Sequence, residues 1–436
     1  AKNVVLLAGR LIFYAWGEPQ WILLLLASIL VTWLLGRAMR PEASAGRRRG
    51  LLILGLVFQL GLLVAVKYAG FFFGAFIDLP KLHLPLGVSF YTFHAISYLV
   101  DVYRQKTPPQ KNLLRLGLYL ALFPKLVMGP IVPYHELEPA LAQRTPSVQD
   151  VSDGCFRFTI GLAKKALLAD ALAGLVTGIW GDLASLTVLS AWLGLIGYAL
   201  QLYFDFSGYS DMAIGLGRML GFRFPENFRY PYLCSSISDF WRRWHISLGS
   251  WFKEYLYFPL GGSRAGTLRT LRNLLLVWLA TGLWHGASWN YVLWGLYFGV
   301  LICLEKLLAP RFRAHPRKGL LAGLYRPVCL LLAVLGWVLF RAEDLPAAGR
   351  YFACLFGGAA GASAQARLYL HDFWPVLLLG AVGATPLCAK LAGRLGAKLQ
   401  PGVRAAVQAV LVLALLACST VWLLNGSFQS FVYFQF

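Results

Sequence analysis

Charge is scarce in this chain, and acidic charge scarcest: 40 Lys and Arg face 19 Asp and Glu, and the four types together make up 14% of the residues. Soluble domains carry roughly 25%, so the shortage excludes an ordinary water-soluble fold. Paired cysteines are missing too. Cys155, Cys234, Cys303, Cys329, Cys354, Cys388 and Cys418 lie mostly within apolar runs, odd in number and without a CxxC pair. That pattern excludes a disulfide framework and a zinc site and leaves small buried hydrophobes. There is no GxSxG elbow, Walker A loop, HExxH helix or glycine-rich nucleotide fingerprint. Serine-hydrolase, ATPase and metalloprotease chemistries are thereby set aside, and no metal is expected. No repeat of fixed period is present, which counts against an inverted-repeat transporter. No small-residue cleavage pattern follows Ala1-Lys2-Asn3, so a cleavable leader is not expected, and a start at Ala rather than Met implies a longer gene product.

What the chain has instead is apolar length. Hydrophobic residues make up 58% of its 436 positions. Runs at 21–35, 51–66, 84–100, 158–179, 186–202, 288–304, 320–340, 373–387 and 407–424 approach the ~20 residues that a spanning helix needs. Shorter pieces at 4–16, 116–132 and 274–284 read as tilted, re-entrant or incomplete spans. The expected fold is all-α: a polytopic membrane protein of roughly ten or more tilted helices, with re-entrant and interfacial helices besides. The formal charge of +21 does not point to nucleic acid, because the cations sit between spans. Arg37, Arg40, Arg47, Arg48 and Arg49 form one group, Arg104, Lys106, Lys111 and Arg115 a second, Arg311, Arg313, Arg317 and Lys318 a third, and Lys390, Arg394, Lys398 and Arg404 a fourth. By the positive-inside rule these loops are cytoplasmic and their partners are membrane lipids. If the last run spans, residues 425–436 face the other compartment.

No insertion of soluble-domain size interrupts the runs, so residues 1–436 read as a single membrane domain with three zones. Residues 1–115 hold early helices, 116–300 are dense in Pro, Gly, Trp and Arg, and 301–436 are plain apolar helix with one amphipathic piece at 345–356. The interval 205–272 is too polar to span and too aromatic for a disordered loop. Its Arg, Lys, Tyr and Trp residues predict short helices in the headgroup interface, with turns at Pro225, Pro231 and Pro259-Leu260-Gly261-Gly262.

Three of the seven histidines lie in that middle zone, and two of them, His245 and His285, fall in its segment richest in Trp, Arg and Gly. His285 ends the run 274–284 and precedes Gly286-Ala287-Ser288-Trp289-Asn290. Irregular backbone at depth is tolerated only where protein buries it or water lines it, so a cavity is expected at His285. A buried imidazole there stays a neutral base. The other reading is a histidine bridging helices. His245 belongs with Asp239, Trp241, Arg242 and Arg243 on an expected interfacial helix, where Arg242 and Trp241 stand three and four residues earlier. It is either a second site histidine or a headgroup-facing side chain. Arg242 and Arg243, with Arg264 and Arg269, suit the phosphates of a nucleotide-bearing donor, or else anchor lipid. Trp241, Trp284 and Asn290 complete the candidate binding residues. His83, His94, His135, His315 and His371 are assigned no chemistry.

Four stretches together resemble a known family: Phe13-Tyr14-Ala15-Trp16-Gly17-Glu18-Pro19; Pro85-Leu86-Gly87-Val88-Ser89-Phe90-Tyr91-Thr92-Phe93; Phe204-Asp205-Phe206-Ser207-Gly208-Tyr209-Ser210-Asp211 with Pro225-Glu226-Asn227-Phe228; and Phe240-Trp241-Arg242-Arg243-Trp244-His245 through to Leu283-Trp284-His285-Gly286-Ala287. The chain resembles the membrane-bound O-acyltransferases, in the bacterial branch of alginate O-acetyltransferases. The resemblance implies helices ringing a tunnel whose narrow point carries His285, with His245 at the second site position. It further implies acetyl-coenzyme A as donor, no bound cofactor, and transfer across a bacterial inner membrane to a periplasmic acetyltransferase partner or polysaccharide hydroxyl. D-alanyl transfer to teichoic acid from a carrier protein, and a polymer transporter without bond chemistry, are the competing readings.

Overall fold

Lipid offers no partner to backbone N–H and C=O groups, so apolar segments close their hydrogen bonds internally as helices. In the computed structural model, which describes residues 2–74, 76, 83–264, 266–314, 320–426 and 431, every regular element among the described residues is helical. The chain forms two compact units: residues 1–155, 213–225 and 250–256, and residues 156–212, 226–249 and 257–436. His315, Arg317, Lys318 and most of the 427–436 tail, all named in the sequence reading, lie outside the described residues.

The first unit opens with α1 (Lys2–Gly17), α2 (Ile22–Ala38) and α3 (Ala45–Leu63), followed by α4 (Val88–Tyr103) and α5 (Leu113–Ala121). Ser44 caps α3 by accepting the Arg47 N–H at 3.3 Å. Helix α4, expected as a span, is buried from Val88 through Leu99 and is the core of this unit rather than a lipid-facing element.

From α6 (Val148–Ala163) the chain continues through a π-helical turn, Lys164–Ala169, into α7 (Asp170–Trp180) and the 32-residue α8 (Val188–Met219). Here the structure corrects the sequence reading, since residues 205–219 continue a long helix instead of starting an interfacial segment. The reason is charge pairing. Asp205 meets Lys165 at 2.8 Å, Lys165 also meets Asp170 at 2.6 Å, and Asp211 meets Arg157 at 2.6 Å and Lys164 at 2.7 Å. Each carboxylate therefore brings its counter-charge, and the helix need not end where hydropathy falls.

The rest of the interval is built as expected, from short helices α9 (Ile237–Trp241) and α10 (Ile246–Phe252) and a turn through Gly261 and Gly262. Both glycines have positive φ, +99° and +57°, a conformation that side chains with a Cβ resist. Asn273 clamps the turn by donating to the carbonyls of Leu260 and Gly262, each at 3.0 Å. Then come α11 (Thr267–His285), α12 (Trp289–Ala314), α13 (Leu320–Arg341), α14 (Leu345–Leu355), α15 (Ala364–Gly383), α16 (Leu387–Gly396) and α17 (Pro401–Asn425). The run 274–284 is thus no isolated short element but the end of a 19-residue helix. The amphipathic piece is α14, with Ala347, Ala348, Tyr351 and Leu355 along its buried face.

Five helices among the described residues are long and apolar enough to cross a membrane: Ala45–Phe73, Val188–Met219, Trp289–Leu308, Gly323–Arg341 and Pro401–Asn425. The pair α15 and α16, bent by 67°, makes a sixth if taken as one span. On α17 only Ser419 is buried within the protein, which leaves its leucines and valines to face lipid. The chain is a multi-pass membrane protein.

Candidate active site

Helices α11 and α12 approach closely because glycines meet at their crossing. A Cβ on Gly282 would stand 3.2 Å from the Gly295 Cα, and one on Gly295 would stand 3.1 Å from the Gly282 nitrogen. Such small residues let helix backbones approach within a membrane. Gly286 then stops α11 in extended backbone, φ −168° and ψ 157°, directly under the Tyr291 ring, where a Cβ would overlap the ring. His285 is the last residue of α11 and lies between Gly282 and Gly286. Its ring packs 4.9 Å from Trp294, 5.2 Å from Phe340 and 4.9 Å from Trp284. It retains 7% of its surface.

His245 reaches the same place by another route. The expected helix through Asp239, Trp241 and His245 is corrected here: α9 ends at Trp241, and His245 lies in a left-handed link, φ +45°, before α10. Trp241 and Arg242 are therefore not its helical neighbours. Instead the link pairs with residues 227–229, where the Ile246 N–H donates to the Asn227 carbonyl at 3.0 Å and the Arg229 N–H to the Arg243 carbonyl at 2.9 Å. A non-glycine residue held at positive φ carries about 1–3 kcal/mol of strain. The His245 ring packs edge-on against Phe206 at 4.6 Å and lies 6.3 Å from Trp284. Trp284 thus adjoins both imidazoles, and the structure brings together His245, Trp284 and His285.

Asn227 decides the protonation of His245. Its Oδ1 accepts the Ser247 N–H at 3.1 Å and the Ser247 hydroxyl at 2.9 Å, and it lies 3.2 Å from Nδ1 of His245. Because a backbone N–H only donates, the oxygen of the amide is identified, and the Asn227 Nδ2 faces Ser210 Oγ at 3.1 Å. An acceptor opposite Nδ1 requires that Nδ1 carry the proton. Nε2 then holds the lone pair, and it is buried with no protein hydrogen-bond partner among the described residues. Burial pushes the His245 pKa down from 6.5 to about 3, so the ring is a neutral base at physiological pH.

The remaining predicted residues divide. Trp241 packs at 4.7 Å on Trp278, 4.8 Å on Phe298 and 5.5 Å on Trp294. It therefore belongs to the aromatic wall that also shapes the surroundings of His285. Asn290 is buried, but its Nδ2 donates to the Ala342 carbonyl at 2.7 Å, an anchor between α12 and the end of α13. Arg243 pairs with Asp239 at 3.0 Å, whereas Arg242 is largely exposed and 3.6 Å from the same carboxylate. Burial opposes the charge on Asp239, but the Ser235 N–H and Arg243 outweigh it and hold its pKa below the usual value.

Sequence reasoning gave no role to Glu305. From α12 its carboxylate accepts the N–H groups of Ile237 at 2.6 Å and Ser238 at 2.9 Å, the Ser238 hydroxyl at 2.6 Å and the Tyr325 hydroxyl at 2.6 Å. The first turn of α9 is thereby tied to the helix that follows His285. A lone Glu in an apolar run was the available signal. Among the described residues, no group of three or more His, Cys, Asp or Glu side chains is placed to hold a metal ion.

Two buried imidazoles thus adjoin one tryptophan in this membrane protein. The sequence model of the membrane-bound O-acyltransferase family matches residues 13–322. The chain belongs to this family. It is 43% identical over 369 residues to the probable alginate O-acetylase AlgI of Pseudomonas aeruginosa, covering 81% of this chain and 70% of that protein. To the peptidoglycan O-acetyltransferase of Helicobacter pylori it is 35% identical over 379 residues, 79% of this chain and 71% of that protein. The teichoic acid D-alanyltransferase of Bacillus subtilis is 29% identical over 248 residues, 52% of this chain and 62% of that protein. As a member of the family the chain is an O-acyltransferase, which sets aside the transporter without bond chemistry.

Proposed function

We propose that this O-acyltransferase moves an acetyl group from acetyl-coenzyme A on the cytoplasmic side of a bacterial inner membrane to a hydroxyl on the periplasmic side. The acceptor is an exopolysaccharide of the alginate type or a periplasmic acetyltransferase that serves one. Support for acetyl over D-alanyl transfer is the higher identity and longer match to the alginate and peptidoglycan acetylating relatives. The observation that carries the chemistry is the convergence of His285 and His245 on Trp284 among packed aromatic rings.

In the proposed reaction His285 takes the proton of the acceptor hydroxyl as its oxygen attacks the thioester carbonyl. A C–O bond forms, the C–S bond breaks, and the proton passes to the leaving thiolate, giving ester and free coenzyme A. His245, its Nδ1 held by Asn227, turns the Nε2 lone pair toward the same rings and orients the hydroxyl. The aromatic wall of Trp241, Trp284 and Trp294 excludes water, and Arg242 and Arg243 lie outside it, where donor phosphates would arrive. General-base action contributes about 10²–10⁴ in rate. Purified His285→Ala protein, supplied with labelled acetyl-coenzyme A and acceptor, is therefore expected to lose about 10²–10⁴-fold in acetyl transfer while keeping its thermal unfolding midpoint. Near wild-type turnover would remove His285 from the mechanism. Transfer from a D-alanyl carrier protein, with none from acetyl-coenzyme A, would overturn the donor.

A further inference from the structure

A cavity of about 1200 Å³ opens in the first unit between the end of α2, the linker into α3 and the linker that follows α4, lined among others by Trp33, Arg37, Arg40, Glu42, Arg47 and Lys111. Four cations share it with one carboxylate, and none of the four forms an ion pair among the described residues. Arg37 lies 5.0 Å over the Trp33 ring, so its guanidinium is held at the cavity wall. The cavity also has an apolar exit. Leu34 lines it, and from there Leu30, Leu26 and Leu23 continue along α2 with 50%, 45%, 39% and 71% of their surfaces uncovered in that order. Spacings of four, four and three residues place these leucines along one face of the helix.

A concentrated basic chamber that runs into an exposed apolar stripe matches the two halves of a phospholipid. We infer that this cavity binds an anionic phospholipid, with its phosphate among Arg37, Arg40, Arg47 and Lys111 and its acyl chains along Leu34, Leu30, Leu26 and Leu23. Guanidinium groups form paired hydrogen bonds to phosphate oxygens. By the positive-inside rule the chamber belongs to the cytoplasmic leaflet. The stripe is what separates a lipid from a soluble phosphate ester, which would leave it bare.

The test titrates the full chain, purified in neutral detergent, with phosphatidylglycerol or phosphatidylcholine and reads occupancy by native mass spectrometry. Phosphatidylglycerol is expected to bind more tightly, and each removed cation to weaken it about fivefold. Arg40→Ala with Lys111→Ala, both exposed side chains, should cost roughly 25-fold at an unchanged unfolding midpoint in detergent alone. Leu30→Gln should weaken phosphatidylglycerol without affecting inorganic phosphate. Equal binding of the two lipids, or an unaltered affinity in the double variant, would overturn the site. Displacement of the lipid by coenzyme A or glycerol 3-phosphate would overturn the lipid in favour of a soluble ester.

Discussion

A histidine buried to 2% of its surface is useful as a base only if one nitrogen is kept free of protons, and at position 245 a neighbouring amide does this. The carboxamide oxygen of Asn227 costs no charge and fixes the tautomer. Replacing it with a carboxylate is a sharp probe. In Asn227→Asp the negative oxygen opposite Nδ1 stabilises the imidazolium, so the His245 pKa rises from about 3 toward the usual range. The wild type is expected to show no acid limb from this group between pH 5 and 8. The variant should lose turnover as the pH falls, and Asn227→Ala should lose it at all pH values, as read from pH–rate profiles of acetyl transfer. Stability follows the same sign. With a folded pKa below the unfolded one, His245 supports the fold above pH 6.5 and withdraws that support as the pH falls toward 3.

Both histidines drew attention in the sequence because imidazoles in so apolar a chain require an explanation, and both are buried. Asn227 and Glu305 were not, because their partners are 18 and 68 residues away and no local pattern encodes such distances. Type and spacing made Arg242 and Arg243 candidates for phosphate, but no local pattern showed that Arg243 also pairs with Asp239.

Elements, more than single side chains, set the position of His285. It stands at the end of α11 because Gly286 stops the helix, and against Trp294 because Gly282 and Gly295 allow α12 to lie close. A methyl group at this crossing forces the helices apart. Overpacking of this kind costs about 1–3 kcal/mol. Gly295→Ala is thus expected to lower the unfolding midpoint in detergent and to reduce transfer severalfold, although residue 295 touches neither imidazole. A wild-type midpoint together with full activity would show that the crossing is not close-packed. Hydropathy marked α12 and only the second half of α11, and not their crossing, since glycine is abundant throughout the chain. Helical periodicity also misplaced His245 on a helix, because Trp241 to His245 has the composition of an amphipathic turn and nothing in it announces the left-handed link.

At the scale of the molecule, composition was the most dependable guide: scarce charge and long apolar runs yielded an all-helical multi-pass protein. Hydropathy failed where charges cancel. Lys165 sits between Asp170 and Asp205, with all three side chains less than 10% exposed. Removing one member of such a buried group costs about 3–5 kcal/mol, because the remaining charge is left uncompensated. Lys165→Met is therefore expected to reduce the yield of folded protein in the membrane sharply, and Lys165→Met with Asp205→Asn to recover part of it, as measured by monodisperse material after extraction.

The same trio bears on how such genes are drawn. Counting that closes a crossing at the first carboxylate would cut α8 at Asp205 and draw residues 206–219 as loop, although they are helix. A reporter fused between residues 206 and 219 would then interrupt a helix whose carboxylates are paired to Lys165, Arg157 and Lys164, and would report on a broken element instead of a loop.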